Sequence, residues 1–131
     1  MNTTFITIIS EIIKRYPQVT LAIVFGSLAT NTQHSNSDID LAVQTDCPLD
    51  VALKKQIIEA LALKLGRPVD LIDLNKAGQP LLGQILATGK RITGSDTRYA
   101  RLITKNLLDR ADFLPYRNRI LEERRQAWIG M

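Results

Sequence analysis

The sequence lacks the features that anchor many small proteins to membranes or cross-link them through disulfides, and each absence excludes a class of protein. It has a single cysteine, Cys47, so an internal disulfide is excluded and the reducing cytoplasm is the expected compartment. No apolar run approaches the ~20 residues that span a bilayer. The first ten residues lack a basic region and a small-residue cleavage site, so we expect no signal peptide. Together these features predict a cytoplasmic protein that does not act at a membrane.

What the chain does contain is ordinary for a globular domain. It has 131 residues, of which 45% are hydrophobic and 23% are charged, and it shows no internal repeat or low-complexity tract. A chain of this length and composition folds as one domain and buries a core without disulfides or a structural metal.

The positive charge is concentrated towards the C-terminus. The formal net charge is +4, and residues 96–131 carry eight Lys and Arg against five Asp and Glu, whereas residues 1–95 are nearly balanced. A basic segment of this kind can contact nucleic acid, an acidic protein or the phosphates of a nucleotide. It is equally compatible with an exposed helix face that has no binding role, so the charge leaves these alternatives open.

Hydrophobic periodicity predicts alternating helices and strands. We expect a core of residues 1–95 and a C-terminal helical extension of residues 96–131, packed on the core or on a partner. The fold class is therefore α/β, with one small sheet flanked by helices. The predicted core elements are helix 4–16, strand Val19–Phe25, strand Asp38–Val43, a helix from Pro48 with Gly66 as its C-cap, strand Val69–Leu74, helix 78–88 and strand Lys90–Thr93.

Two aspartates, Asp38 and Asp40, mark the most informative position in the chain. They are two residues apart in a predicted strand, so both carboxylates should leave the same face of the sheet. Like charges this close repel by about 4 kcal/mol at an effective dielectric constant of about 20. Mg²⁺ relieves such repulsion, because it binds carboxylate oxygens and completes its shell with waters and substrate phosphates. The pair therefore predicts a metal site for phosphoryl chemistry.

Gly26 and Ser27 directly follow the first predicted strand. A residue without a side chain lets a ligand approach the backbone, and the local N–H groups and the Ser27 hydroxyl suit the β- and γ-phosphates of a nucleotide. A third carboxylate would complete a site for two metal ions. Asp70 and Asp73 both lie on the third predicted strand, but they should face opposite sides, so only one can join the pair.

One motif of the chain consists of Phe25-Gly26-Ser27, ten intervening residues and then Asp38-Ile39-Asp40-Leu41-Ala42-Val43. This motif resembles the signature of the DNA polymerase beta-like nucleotidyltransferase superfamily. The short chain is similar, within it, to the minimal nucleotidyltransferases (MNT) that act as antitoxins beside HEPN-domain ribonuclease toxins. The resemblance covers residues 19–95 well and implies a small mixed β-sheet flanked by helices, with a C-terminal helical tail. The tract Pro68–Leu74 resembles the family's third-carboxylate strand, which favours Asp70.

The resemblance also implies an activity and a partner. ATP would place its triphosphate at Gly26-Ser27, and Asp38, Asp40 and Asp70 would hold two Mg²⁺ ions. The enzyme would transfer AMP to a tyrosine of a cognate HEPN toxin and so silence its ribonuclease activity. Direct nucleic-acid binding is not required for this reaction.

Three other functions are compatible with the residues. The chain could neutralise a toxin by steric occlusion with a vestigial catalytic site. It could modify a small molecule, although such enzymes usually carry a second substrate domain for which 131 residues leave little room. It could extend RNA ends, which fits the basic tail, although no recognisable RNA-binding module is present.

His34, the only histidine, is expected to be an exposed loop residue.

Overall fold

The computed structural model describes residues 2–26, 29 and 38–111 of the chain. Its helices are α1 (Asn2–Ile13), α2 (Val51–Leu65), α3 (Leu81–Thr88) and α4, for which residues 96–111 are described. Its strands are β1 (Val19–Phe25), β2 (Ile39–Thr45), β3 (Val69–Asp73) and β4 (Lys90–Gly94). The predicted α/β architecture and the predicted order of elements are both confirmed.

The four strands form one mixed sheet in the order β3-β2-β1-β4. β1 is antiparallel to both β2 and β4, whereas β2 and β3 are parallel and are joined through α2. This connection satisfies the general requirement that parallel neighbours be linked by a long crossover.

Alternate residues of each strand pack against different helices. One face of the sheet contacts α1 and α2 and contributes Ile39, Leu41 and Val43, all fully buried. The opposite face contacts α3 and α4 and contributes Leu21, Ile23 and Ala42. The sheet is therefore covered on both sides, as the nearly continuous apolar run of β1 predicts.

Several predicted boundaries were wrong by a few residues. α1 ends at Ile13 rather than near Pro17, and β2 begins at Ile39, so Asp38 lies just before the strand. α2 begins at Val51 rather than at Pro48, because the Asp50 carboxylate accepts a hydrogen bond of 2.7 Å from the backbone N–H of Leu53.

The C-cap of α2 is as predicted, since Gly66 is left-handed with φ 68° and donates its N–H to the carbonyl of Ala62. α3 also begins later than residue 78, at Leu81.

The described part of the C-terminal extension packs on the core through Tyr99 and Leu102. On its outer side, Ile103, Leu107 and Leu108 are exposed. Residues 112–131, which include the arginine-rich segment Arg117–Arg125, lie outside the described residues. Among the helices described, none is long and apolar enough to cross a membrane.

Candidate active site

The predicted site lies where β1 ends and where β2 and β3 begin. Asp40 pairs in register with Phe25 on β1 and with Asp70 on β3. Because residues paired across neighbouring strands project to the same side, Asp40 and Asp70 share one face of the sheet. Asp73 pairs with Val43, whose side chain belongs to the opposite, α1 and α2 face. The structure thus brings Asp70, and not Asp73, to the Asp40 carboxylate.

Asp38 lies at the edge of this site and is exposed to solvent. The backbone N–H of Ile39 donates a hydrogen bond of 2.9 Å to the carbonyl of Pro68, which ties the start of β2 to the start of β3. The three predicted aspartates therefore sit at one end of the sheet, with Asp40 paired to Asp70 and two residues after Asp38.

The electrostatics of the site centre on Asp40. Burial raises the pKa of the Asp40 carboxyl above its ordinary value, and the charges of Asp70 and then Asp38 raise it further. The ionised form is therefore less stable here than in water. A bound cation would remove this penalty, because it compensates the lost hydration and the repulsion together.

Gly26 contacts the same carboxylate from the end of β1. Its φ is +71°, a conformation that residues with side chains rarely adopt. A Cβ atom at this position would overlap Asp40 Oδ2 and would lie 3.1 Å from Asp40 Cγ. The turn after β1 therefore needs a glycine, because the Asp40 carboxylate occupies the space that a side chain would fill.

This contact was missed by sequence reasoning, which assigned Gly26 only to close approach of a ligand. Asp40 is fourteen positions further along the chain, and only the pairing of Phe25 with Asp40 reveals the contact. Ser27, predicted to bind phosphate, and His34 lie outside the described residues.

The donor set is chemically suited to Mg²⁺, although the carboxylates alone do not form a complete cage. Within residues 2–26, 29 and 38–111, no three His, Cys, Asp or Glu side chains are arranged to hold a metal ion by themselves. Mg²⁺ does not need such a cage, because it commonly binds one or two carboxylates and takes its remaining ligands from water and substrate phosphates. Asp40, with Asp38 and Asp70 beside it, fits this mode.

We expect Gly26→Ala to disrupt the site, and Gly66→Ala to serve as its matched control. Both glycines have positive φ, so each substitution should lower the free energy of unfolding by about 1 kcal/mol. A Cβ at Gly66 meets no atom within 4 Å, whereas one at Gly26 displaces the Asp40 carboxylate. Only Gly26→Ala should lose the rise in melting temperature produced by Mg²⁺ and ATP, measured by differential scanning fluorimetry. Equal ligand responses of the two variants would contradict this role of Gly26.

We expect Asp40→Asn to leave the metal-free protein as stable as the wild type, or more stable. The substitution removes a charge whose ionisation is disfavoured in the fold, so any gain should be present at neutral pH. That gain should disappear as the pH falls through the raised pKa of Asp40, because the wild-type carboxyl then becomes neutral. Urea denaturation of both proteins across this pH range measures the difference. A marked loss of stability at neutral pH would show that Asp40 is structural.

Comparison with known proteins agrees with this geometry. Residues 8–98 match the family model described as polymerase beta, nucleotidyltransferase. The protein adenylyltransferase MntA of Shewanella oneidensis is 39% identical over 79 residues, which are 60% of this chain and 57% of MntA. The chain therefore matches somewhat more than half the length of this curated relative.

Solved structures extend the likeness over most of the chain. A chain of a toxin–antitoxin crystal structure with AMP-PNP superposes with a TM-score of 0.80 and 29% identity, covering 90% of this chain and 96% of that one. A chain of the complex between tri-AMPylated S. oneidensis HEPN toxin and MNT antitoxin gives a TM-score of 0.77 and 25% identity, with 94% and 98% covered. Because the family model matches well over half of its residues, this chain belongs to the polymerase beta nucleotidyltransferase family.

Proposed function

We propose that this protein is an Mg²⁺-dependent adenylyltransferase that transfers AMP from ATP to a tyrosine hydroxyl of a cognate HEPN ribonuclease toxin, and so acts as its antitoxin. The observation that carries the proposal is the position of Asp40, which lies against the Gly26 turn, pairs in register with Asp70 and is acted on by the charges of Asp70 and Asp38. The named relatives support it, since one is a protein adenylyltransferase and another is an antitoxin in complex with an AMPylated HEPN toxin.

Each residue of the site has a distinct role in this reaction. The backbone at Gly26, with Ser27, binds the triphosphate of ATP, and the absence of a side chain at Gly26 keeps the Asp40 carboxylate in place. Asp38, Asp40 and Asp70 would hold Mg²⁺, which when bound neutralises the charge that develops on the phosphate oxygens.

Asp70 is the residue best placed to assist the attacking hydroxyl. It is exposed on β3, at the edge of the sheet, and is therefore accessible to a second protein. Its carboxylate accepts the hydroxyl proton while the hydroxyl oxygen bonds to the α-phosphorus of ATP. The bond between the α-phosphorus and the bridging oxygen breaks at the same time, and pyrophosphate leaves.

We expect Asp70→Asn to abolish AMP transfer and Asp73→Asn to retain most of it. The two residues lie on the same strand but on opposite faces, and Asp73 instead accepts a hydrogen bond of 2.9 Å from the backbone N–H of Asn75. An asparagine oxygen can still accept that bond, so Asp73→Asn is a suitable control. Transfer of labelled AMP to purified toxin measures both variants, and the reverse ranking would mean that Asp73 is the third carboxylate.

We expect the toxin to be modified covalently in cells. Toxin produced together with the wild-type chain should gain the mass of one AMP group per modified hydroxyl, measured by intact-mass spectrometry. Toxin produced with Asp40→Asn should keep its unmodified mass and should still arrest growth. An antitoxin that acts by steric occlusion predicts the opposite growth result, because the variant would protect cells while leaving the toxin unmodified.

A further inference from the structure

A groove lies between α1 and β4, on the side of the sheet away from Asp40. Its volume is about 430 Å³, and Ile6 and Ile92 provide its apolar lining. Ser10 and Lys14 border it from α1, and Lys90 borders it from β4. Neither the candidate active site nor the predicted motifs include any of these residues.

The helix side of the groove is one continuous stripe of α1 and the turn that follows it. The stripe consists of Thr7, Ser10, Glu11 and Lys14, which follow one another at intervals of three, one and three residues. Residues at this spacing fall on one side of the helix and of the turn that continues it. The stripe is polar, whereas the neighbouring face of α1 carries the buried residues Ile9, Ile12 and Ile13. α1 therefore anchors itself in the core through one face and presents the other to the groove.

The strand side of the groove is an open sheet edge. β4 is the last strand in the order β3-β2-β1-β4 and pairs only with β1 among the strands described. Its outer backbone N–H and C=O groups can therefore pair with another extended chain. Charged residues such as Lys90 and Arg91 commonly protect an edge from indiscriminate pairing. An edge strand beside a helix is also the geometry in which domains bind an extended peptide as an added strand.

The charges around the groove favour an acidic occupant. Within the described part of the chain, Lys14 and Lys90 have no ion-pair partner, whereas Glu11 is the only acidic residue that lines the groove. Arg91 is held differently, since it lies 2.8 Å from an Asp96 carboxylate oxygen and stacks on the ring of Tyr99. The two lysines are therefore the charges available to a ligand.

The groove also runs towards the active-site end of the sheet. Lys90 pairs in register with Val24, and Gly26 follows two residues later on β1. At a rise of about 3.3 Å per residue, the start of β4 lies about 7 Å along the strand direction from the turn that contacts Asp40. A peptide added to β4 would thus reach the active-site end of the sheet, three strand positions from β2 and Asp40.

We propose that this groove binds an extended, acidic segment of the acceptor protein as an additional strand on β4, and that this docking delivers the acceptor hydroxyl to the active site. The acceptor is the HEPN toxin if the function proposed above is correct, so the identity of the partner rests on that proposal. The evidence for the groove itself is the edge strand, the polar stripe of α1 and the two lysines that have no ion-pair partner among the described residues.

A charge-reversal experiment tests this docking role. The variant Lys14→Glu/Lys90→Glu is compared with Lys54→Glu/Lys76→Glu, which changes the same charge at two exposed lysines outside the groove. The groove variant should lower kcat/KM for toxin AMPylation by about tenfold, because it repels the acidic segment and slows association. Its kcat at saturating toxin, its affinity for ATP with Mg²⁺ and its melting temperature should match those of the control.

Equal kcat/KM values for the two variants would show that the groove takes no part in docking. If the wild-type chain itself transfers no AMP, the proposed function fails, but the affinity of toxin for both variants still tests the groove. A weaker complex with the groove variant alone, measured by isothermal titration calorimetry, supports docking, and equal affinities overturn it.

A cross-linking experiment identifies the occupant directly. A photo-reactive maleimide is attached to Ser10→Cys in a Cys47→Ser background, because Cys47 is an exposed free thiol. Irradiation of the complex should join the groove to a toxin peptide rich in Asp and Glu, identified by mass spectrometry. Cross-links confined to residues 112–131 of this chain, or to a second copy of it, would assign the groove to another occupant and would overturn the proposal.

Discussion

The structure depends on the register that places Asp40 between Phe25 and Asp70. A shift of one residue in β2 would turn every side chain of that strand to the opposite face. Such a shift would bury the carboxylate under α1 and α2 and would move Leu41 towards the site. Ile39 and Leu41, both completely buried on either side of Asp40 in the sequence, prevent it. Apolar packing on one face of β2 therefore fixes the position of the Asp40 carboxylate on the other face.

The same arrangement explains how a repulsive cluster persists in a small domain. Side chains on both faces of the sheet are fully buried, and fully burying a large aliphatic side chain contributes about 1.5–3 kcal/mol. These contributions oppose the unfavourable burial of the Asp40 carboxylate, whose pKa is raised by desolvation and by the charges of Asp70 and Asp38. The site can therefore be kept in a conformation that favours a bound cation, with its stability supplied by residues that take no part in chemistry.

The sequence predicted those features that depend on local pattern. The strands that carry Asp40 and Asp70 are marked by short apolar runs, and the opposite orientation of Asp73 follows from its spacing from Asp70. Two kinds of feature were not predictable from the sequence: the choice between two possible helix starts, and contacts that arise when segments distant in the sequence pair. Both Pro48 and Asp50 are typical of a helix start, and the helix begins after Asp50 because its carboxylate binds the backbone N–H of Leu53.

The contact between Gly26 and Asp40 and the groove beside β4 arise from pairing of distant segments, and no local signal marks either of them. The roles assigned to the three aspartates and to Ser27 remain predictions.

The lack of space at Gly26 also has a genetic meaning. Every missense mutation of a glycine codon adds at least one carbon atom to the side chain, and here that atom would fall on the Asp40 carboxylate. If Asp40 binds the metal as proposed, replacements at codon 26 would act on activity by displacing this carboxylate. If the partner is the toxin proposed above, cells with such alleles would be poisoned by it, so purifying selection on this codon would act through the partner's toxicity.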